Sequence, residues 1–121
     1  MISAPKLTSI TPIFQTVDLQ RSIHFYTQVM GFEVAWTAGE PPDRASFCRD
    51  AVEITVEVEP VPARGQAYLQ VTGVDEYFSR ITAAGARVKV PLGDRGYGMR
   101  DGRIFDPDGN EIHIGQALVK D

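Results

Sequence analysis

Two stretches of the chain follow one plan. From Asp18 to Met30, the residues Leu19, Ile23, Tyr26, Val29 and Met30 recur at helical spacing, with Asp18 placed to cap the start and Gly31 to end it. From Val74 to Ala84, a second stripe of Val74, Tyr77, Phe78, Ile81 and Ala84 ends on Gly85. The two starts, Leu19 and Val74, lie 55 positions apart. Each helix follows an extended run and leads into another, and each half closes on an alternating strand, Val52-Glu53-Ile54 in one and Ile112-His113-Ile114 in the other. A helix with one apolar face needs a sheet to cover it. The pattern therefore reads as a βαβββ unit used twice, an α+β chain, with coincidence between two short helices as the alternative.

The clearest strand is Val52 to Glu59, where Val52, Ile54, Val56 and Val58 alternate strictly with Glu53, Thr55, Glu57 and Glu59. Further extended runs are expected at Ile10 to Val17, Phe32 to Thr37, Ala45 to Arg49, Ala67 to Val71, Arg87 to Val90, Gly102 to Phe105 and Glu111 to Gly115. Asp106 to Asn110 joins the last two as a turn, with Pro107 fixing φ and Gly109 free to take a positive one. Pro60 to Gly65 carries the proline and glycine of a linker near the middle of the chain. The boundaries are a single domain over 1–121, with module one at about 8–59, the linker at about 60–65 and module two at about 66–116.

Composition removes several function classes. At 121 residues, 43% hydrophobic and 23% charged, the chain is large enough to bury a core without disulfides and too small for two full domains. Acidic residues outnumber basic ones 16 to 12, with no Lys/Arg cluster, so nucleic acid is not an expected partner. No run approaches a membrane span, and Met1 to Lys6 lacks the pattern of an export signal, so no membrane partner is expected. Cys48 is the only cysteine, which suits a reducing compartment and a cytoplasmic location. It reads as a small buried hydrophobe rather than a nucleophile, and His24 as a helix-surface residue.

Thr16 to Phe32 (TVDLQRSIHFYTQVMGF), Tyr97 to Arg100 and Phe105 to Asn110 together resemble the vicinal oxygen chelate superfamily, which includes glyoxalase I, extradiol dioxygenases, and the fosfomycin and bleomycin resistance proteins. Bleomycin resistance proteins are the most similar members, through Lys6 to Ser9, Phe47 to Asp50, Val71 to Glu76 and Asp106 to His113. The resemblance implies two βαβββ modules forming a curled, half-barrel mixed sheet, with the helices outside and a cleft inside. It also implies a homodimer whose clefts are completed by the neighbouring subunit. Fold alone does not choose between the enzymes and the binders built on this scaffold.

Metal-dependent members carry ligands at four inward-facing strand positions, which the resemblance places here at Thr11, Glu53, Gln66 and His113. Strand alternation agrees, because Val52, Ile54, Ile112 and Ile114 on the helix side leave Glu53 and His113 facing the cleft. A catalytic divalent ion normally takes three or more protein ligands and keeps a position open. A threonine hydroxyl is a poor replacement for imidazole, and an amide carbonyl binds weakly. The metal site is therefore expected to be degenerate, with no cofactor. Glu53, Gln66 and His113 as a weak divalent-metal set are the alternative, and exposed or hydrogen-bonded side chains the plainer reading of Glu53 and His113.

The candidate ligand-binding residues are Trp36, Phe47, Glu53, Tyr68, Tyr97, Met99, Arg103 and His113, and none is assigned a catalytic role. Tyr68 shares the parity of Gln66 and Gln70. Trp36 and Tyr97 are placed to clamp a planar ring at the rim, or to pack at a subunit interface. Arg103 either faces the cleft or pairs with Glu53 or Glu57, the pairing being the expectation. Glu53 and Glu57 give the cleft an acidic cast suited to a cationic aromatic guest. The reading is a small-molecule binder that sequesters an antibiotic-type, aromatic or cationic ligand. The alternatives are a divalent-metal-dependent lyase, isomerase or dioxygenase, and a docking module.

Overall fold

The alternation in Val52 to Val58 and the apolar stripe beginning at Leu19 meet across one sheet. The computed structural model describes residues 4–119. The first half runs β1 (Ile13–Thr16), α1 (Leu19–His24), a π-helical turn (Phe25–Val29), β2 (Glu33–Ala38), β3 (Arg44–Arg49) and β4 (Val52–Val58). The second runs β5 (Gln66–Gln70), α2 (Val74–Ala83), β6 (Arg87–Asp94), β7 (Met99–Phe105) and β8 (Glu111–Ala117). Each half is a four-stranded sheet, ordered β1-β4-β3-β2 in one and β5-β8-β7-β6 in the other. In both, the first strand lies parallel to the last and the remaining pairs are antiparallel. The βαβββ unit is thus present twice, in mixed sheets of the α+β class.

Each helix covers one face of its own sheet. Phe14, Phe47, Ile54 and Val56 pack under Leu19, Tyr26 and Met30 in the first half; Leu69, Ile104, Ile112 and Ile114 accompany Val74, Phe78 and Ile81 in the second. These side chains are almost wholly removed from water, which supplies the main driving force. Gly102 is required where α2 comes closest, since a Cβ there would sit 2.7 Å from the Phe78 ring.

Several expectations need correction. The first helix was expected to be continuous from Asp18 to Met30, but it is α-helical only to His24 and then widens, the Met30 N–H donating to the Phe25 carbonyl five residues back. β1 begins at Ile13, not Ile10, where its register with β4 starts. β6 and β7 are longer than expected, and β6 accommodates its length through irregularities on either side of Val90. Phe47, expected in the cleft, is fully buried on the helix side and stacks on the Tyr26 ring at 5.1 Å, because it pairs with Ile54 rather than with Glu53.

The Asp106–Asn110 turn joins the halves. Tyr26 donates to Asp106 Oδ2 at 2.9 Å, Arg21 meets Asp108 at 2.7 Å, and the Asn110 amide bonds the Gln15 carbonyl and accepts from the Gly65 N–H. Burial raises the Asp106 carboxyl against the hydrogen bonds from Asn110 and Tyr26, which lower it. Among the described residues, no helix is long and apolar enough to cross a membrane.

Candidate functional site

The faces turned away from the helices are set by register. On the first sheet, Glu33, Cys48 and Glu53 form one row, Trp36, Ser46, Thr55 and Ile13 the next, and Arg44, Glu57 and Gln15 a third. On the second sheet the rows are Gln66, Glu111 and Phe105; Tyr68, His113 and Arg103; and Gly115 with Asp101. Met99, two residues before Asp101, shares its parity. A bulge between Val34 and Trp36 brings the indole of the edge strand β2 onto this face.

The two walls have opposite electrostatic character. Glu33, Glu53 and Glu57 dominate the first, with Arg44 beside them. Arg87, Lys89 and Arg103 dominate the second, Arg87 and Lys89 lying over the Phe105 ring at 5.3 and 5.7 Å. Lys89 is held by Glu111 at 2.6 Å and lowers its carboxyl. The expected pairing of Arg103 with Glu53 or Glu57 does not occur. Those carboxylates belong to the other sheet, and Arg103 has no hydrogen-bond or ion-pair partner among the described residues. An acidic cast therefore describes one wall only.

At the end of the second wall, Asp101, 4% exposed, accepts from both Tyr68, at 2.8 Å, and Tyr97 through the same oxygen, while Arg95 Nε donates to the other at 2.9 Å. Burial by itself pushes the Asp101 carboxyl up. The hydrogen bonds from Tyr97, Arg95 and Tyr68 outweigh it and hold the group below its ordinary value, as an anion. Burial, and after it the hydrogen bond to Asp101, raises the Tyr68 phenol, while the hydrogen bond to Asp101 is the larger cause for Tyr97. Gly115 makes this possible, because any side chain there would occupy the space of the Tyr68 hydroxyl. Asp101 and Arg95 were not candidates from sequence, although the shared parity of Asp101 and Arg103 was the available signal.

Among the four positions proposed for metal ligands, Glu53 Oε2 accepts from Ser46 at 2.6 Å and His113 Nε2 lies 3.1 Å from Gln66 Oε1. Burial lowers the His113 pKa and the Arg103 guanidinium lowers it further, so the imidazole is neutral at neutral pH. A hollow of about 230 Å³ opens over Gln66, Tyr68 and His113.

A sequence model of the Glyoxalase/Bleomycin resistance protein/Dioxygenase superfamily matches residues 7–114. The chain belongs to this superfamily. Among solved structures, TioX from Micromonospora sp. ML1 is similar at a TM-score of 0.82 with 23% identity, covering 92% of this chain and 99% of that one. The bleomycin-binding protein from Streptomyces verticillus, solved with copper(II)-bleomycin, is similar at 0.79 with 20% identity, covering 97% and 100%. Lactoylglutathione lyase from Agrobacterium tumefaciens is similar at 0.76 with 20% identity, covering 93% and 96%. No curated protein matches the chain in sequence. At these identities the structures share a fold, and the fold carries different functions within the superfamily. Of the four positions that the resemblance assigns to metal ligands, only Glu53 and His113 carry strong donors, and among the described residues no three His, Cys, Asp or Glu side chains gather.

Proposed function

We propose that this superfamily member is a metal-independent binder that sequesters a small aromatic or cationic molecule of antibiotic type, in clefts shared between two copies of the chain. The observation that carries this reading is the contrast between the donors and the rings. Glu53 is occupied by Ser46 and His113 by Gln66, whereas Trp36, Tyr68 and Tyr97 are 43%, 41% and 65% exposed on the faces away from the helices. Exposed rings beside carboxylates suit an aromatic cation, and Arg103 offers an unpaired guanidinium for an acceptor at the guest's other end. The bound guest is held stoichiometrically and no bond is broken. A free, half-buried Cys48 accords with a reducing cytoplasm.

Trp36 is the only tryptophan, so its fluorescence reports on the first wall. Titration with bleomycin is expected to quench it and to raise the melting temperature, because a ligand that binds only the folded state stabilises it. Silence across a panel of cationic and aromatic antibiotics would overturn sequestration. Stoichiometric Mn, Fe, Ni or Zn in protein purified without chelator, lost in Glu53→Ala or His113→Ala, would favour the metal-dependent enzyme instead.

A further inference from the structure

The two halves present each other with equivalent surfaces, of which only one is filled. On one side the β7–β8 hairpin lies on α1, its Asp106–Asn110 turn delivering carboxylates to Tyr26 and Arg21. On the other side the β3–β4 hairpin approaches α2. Five residues lie between the paired Phe105 and Glu111, and only two, Asp50 and Ala51, between the paired Arg49 and Val52. The shorter turn leaves α2 uncovered, and a cavity of about 440 Å³ opens between the halves. Its position is distinct from the walls that carry Trp36, Tyr68 and Arg103.

The cavity has the make-up of a small-molecule site, which is typically a concavity of roughly 300–1,000 Å³ lined by apolar side chains with a few polar groups. Phe32, Val52, Leu69 and Val71 give it an apolar lining, and the Tyr77 ring forms a wall. Tyr77 is fixed by donating its hydroxyl to the Met30 carbonyl at 2.7 Å, and burial pushes that phenol up to about 12, so it stays neutral. Two guanidinium groups reach the cavity, in different states. Arg80 is closed off by Glu76 at 2.6 Å. Arg49 lies over the Tyr77 ring at 5.5 Å and makes only a long 3.5 Å contact with the Met30 carbonyl. Its neighbour Asp50 is 3.9 Å away and 91% exposed, too far for a hydrogen bond. Arg49 thus holds most of its donor fork unused at the edge of an apolar concavity.

We propose that this inter-module cavity is a second ligand site, taking a small organic monocarboxylate with a flat apolar body. The carboxylate pairs with the Arg49 fork and the body lies against Tyr77, Phe32 and Leu69. The ligand occupies the place that the Asp106–Asn110 turn fills in the other half, and like that turn it brings a carboxylate to a waiting donor. The site is independent of the proposed function of the cleft.

Benzoate is the probe, with benzamide as its uncharged counterpart, followed by amide chemical shifts at up to about 10 mM, the range in which a ligand of this size is expected to bind. Benzoate is expected to shift residues 49–52 and 69–77 saturably, and benzamide at least about tenfold more weakly, since only the anion uses the charged fork. Arg49→Gln is expected to weaken benzoate about tenfold or more, and Ala51→Phe, a plug at the exposed turn that adds no second indole, to remove the shifts while leaving quenching of Trp36 by a cleft ligand unchanged. No saturable shift, shifts at Trp36, Tyr68 and Arg103 instead, equal binding of benzamide, or undiminished binding in either variant would each overturn the site. Bleomycin silence at Trp36 together with benzoate shifts here would sink the cleft reading and leave this one standing.

Discussion

A Cβ at position 115 would collide with the Tyr68 hydroxyl and come within 2.8 Å of the Asp101 Cβ. Gly115→Ala is therefore expected to push Tyr68 off Asp101 and to shift Asp101 on the paired strand slightly. The cost is about 1–2 kcal/mol, a hydrogen bond to a charged group discounted for the exposure of Tyr68, read as a lower urea midpoint with an unchanged slope. His113 gives a second test at this scale. Its folded pKa lies below the ordinary 6.5, so as pH falls through 6.5 the unfolded chain takes up a proton that the folded chain refuses. The stability contributed by the neutral ring is present above that pH and is lost as the pH falls towards the folded value. An NMR titration is expected to place the ring below 6.5. Because burial is the larger cause and Arg103 the smaller, Arg103→Gln is expected to return only part of the shift, and a full return would contradict the assignment. Parity was enough to place Glu53, Tyr68, Arg103 and His113 on their faces. Phe47 and Gly115 were illegible, since their roles depend on which residues stand opposite, and that is fixed by register.

Register and turn length act at the scale of the element. The stripe from Leu19 to Met30 announced a helix, but nothing in it announced the π-helical turn at Phe25–Val29. That turn buries Phe25 and Tyr26 side by side, with the Tyr26 ring on Phe47 and its hydroxyl on Asp106, and the latter contact spans 80 residues of sequence. The Asp106–Asn110 segment likewise read correctly as a turn, while its role in clamping one module to the other depends on Gln15, Tyr26 and Gly65, all remote in sequence. Tyr26→Phe removes one donor from a buried carboxylate and is expected to cost about 1.5–3 kcal/mol. Asn110→Ala removes both the acceptor for Gly65 N–H and the donor to Gln15 and Asp106, the last buried and the other two partly so, and is expected to cost more than Tyr26→Phe in the same urea titration. Equal or smaller loss in Asn110→Ala would show that the turn only connects two strands.

At the scale of the whole molecule, the repeated βαβββ pattern is enough to set the architecture, and the missing part is what surrounds it. Residues 4–12 precede β1 without forming a strand, and Leu7 and Ile10 are 103% and 94% exposed. Two large aliphatic side chains held in water gain nothing for a single chain, whereas burial against a second copy yields about 1.5–3 kcal/mol for each. Both sheets also keep open edges at β1 and β5, and Ile13 on the first adds another exposed apolar side chain. The acidic face of one sheet and the basic face of the other are complementary, as the two sides of a cleft closed by a neighbouring copy should be. The protein is therefore expected to sediment as a homodimer, at twice the 13.3 kDa of the chain. The Leu7→Asp/Ile10→Asp double variant is expected to shift towards the monomer while keeping its far-ultraviolet circular dichroism, because neither side chain belongs to the core. Since each cleft would then lose the second copy's wall, quenching of Trp36 by bleomycin is expected to weaken together with dimerisation. A native protein that sediments as a monomer, or a double variant that stays dimeric with full quenching, would show that the arm does not join two copies and that each cleft is complete within one chain.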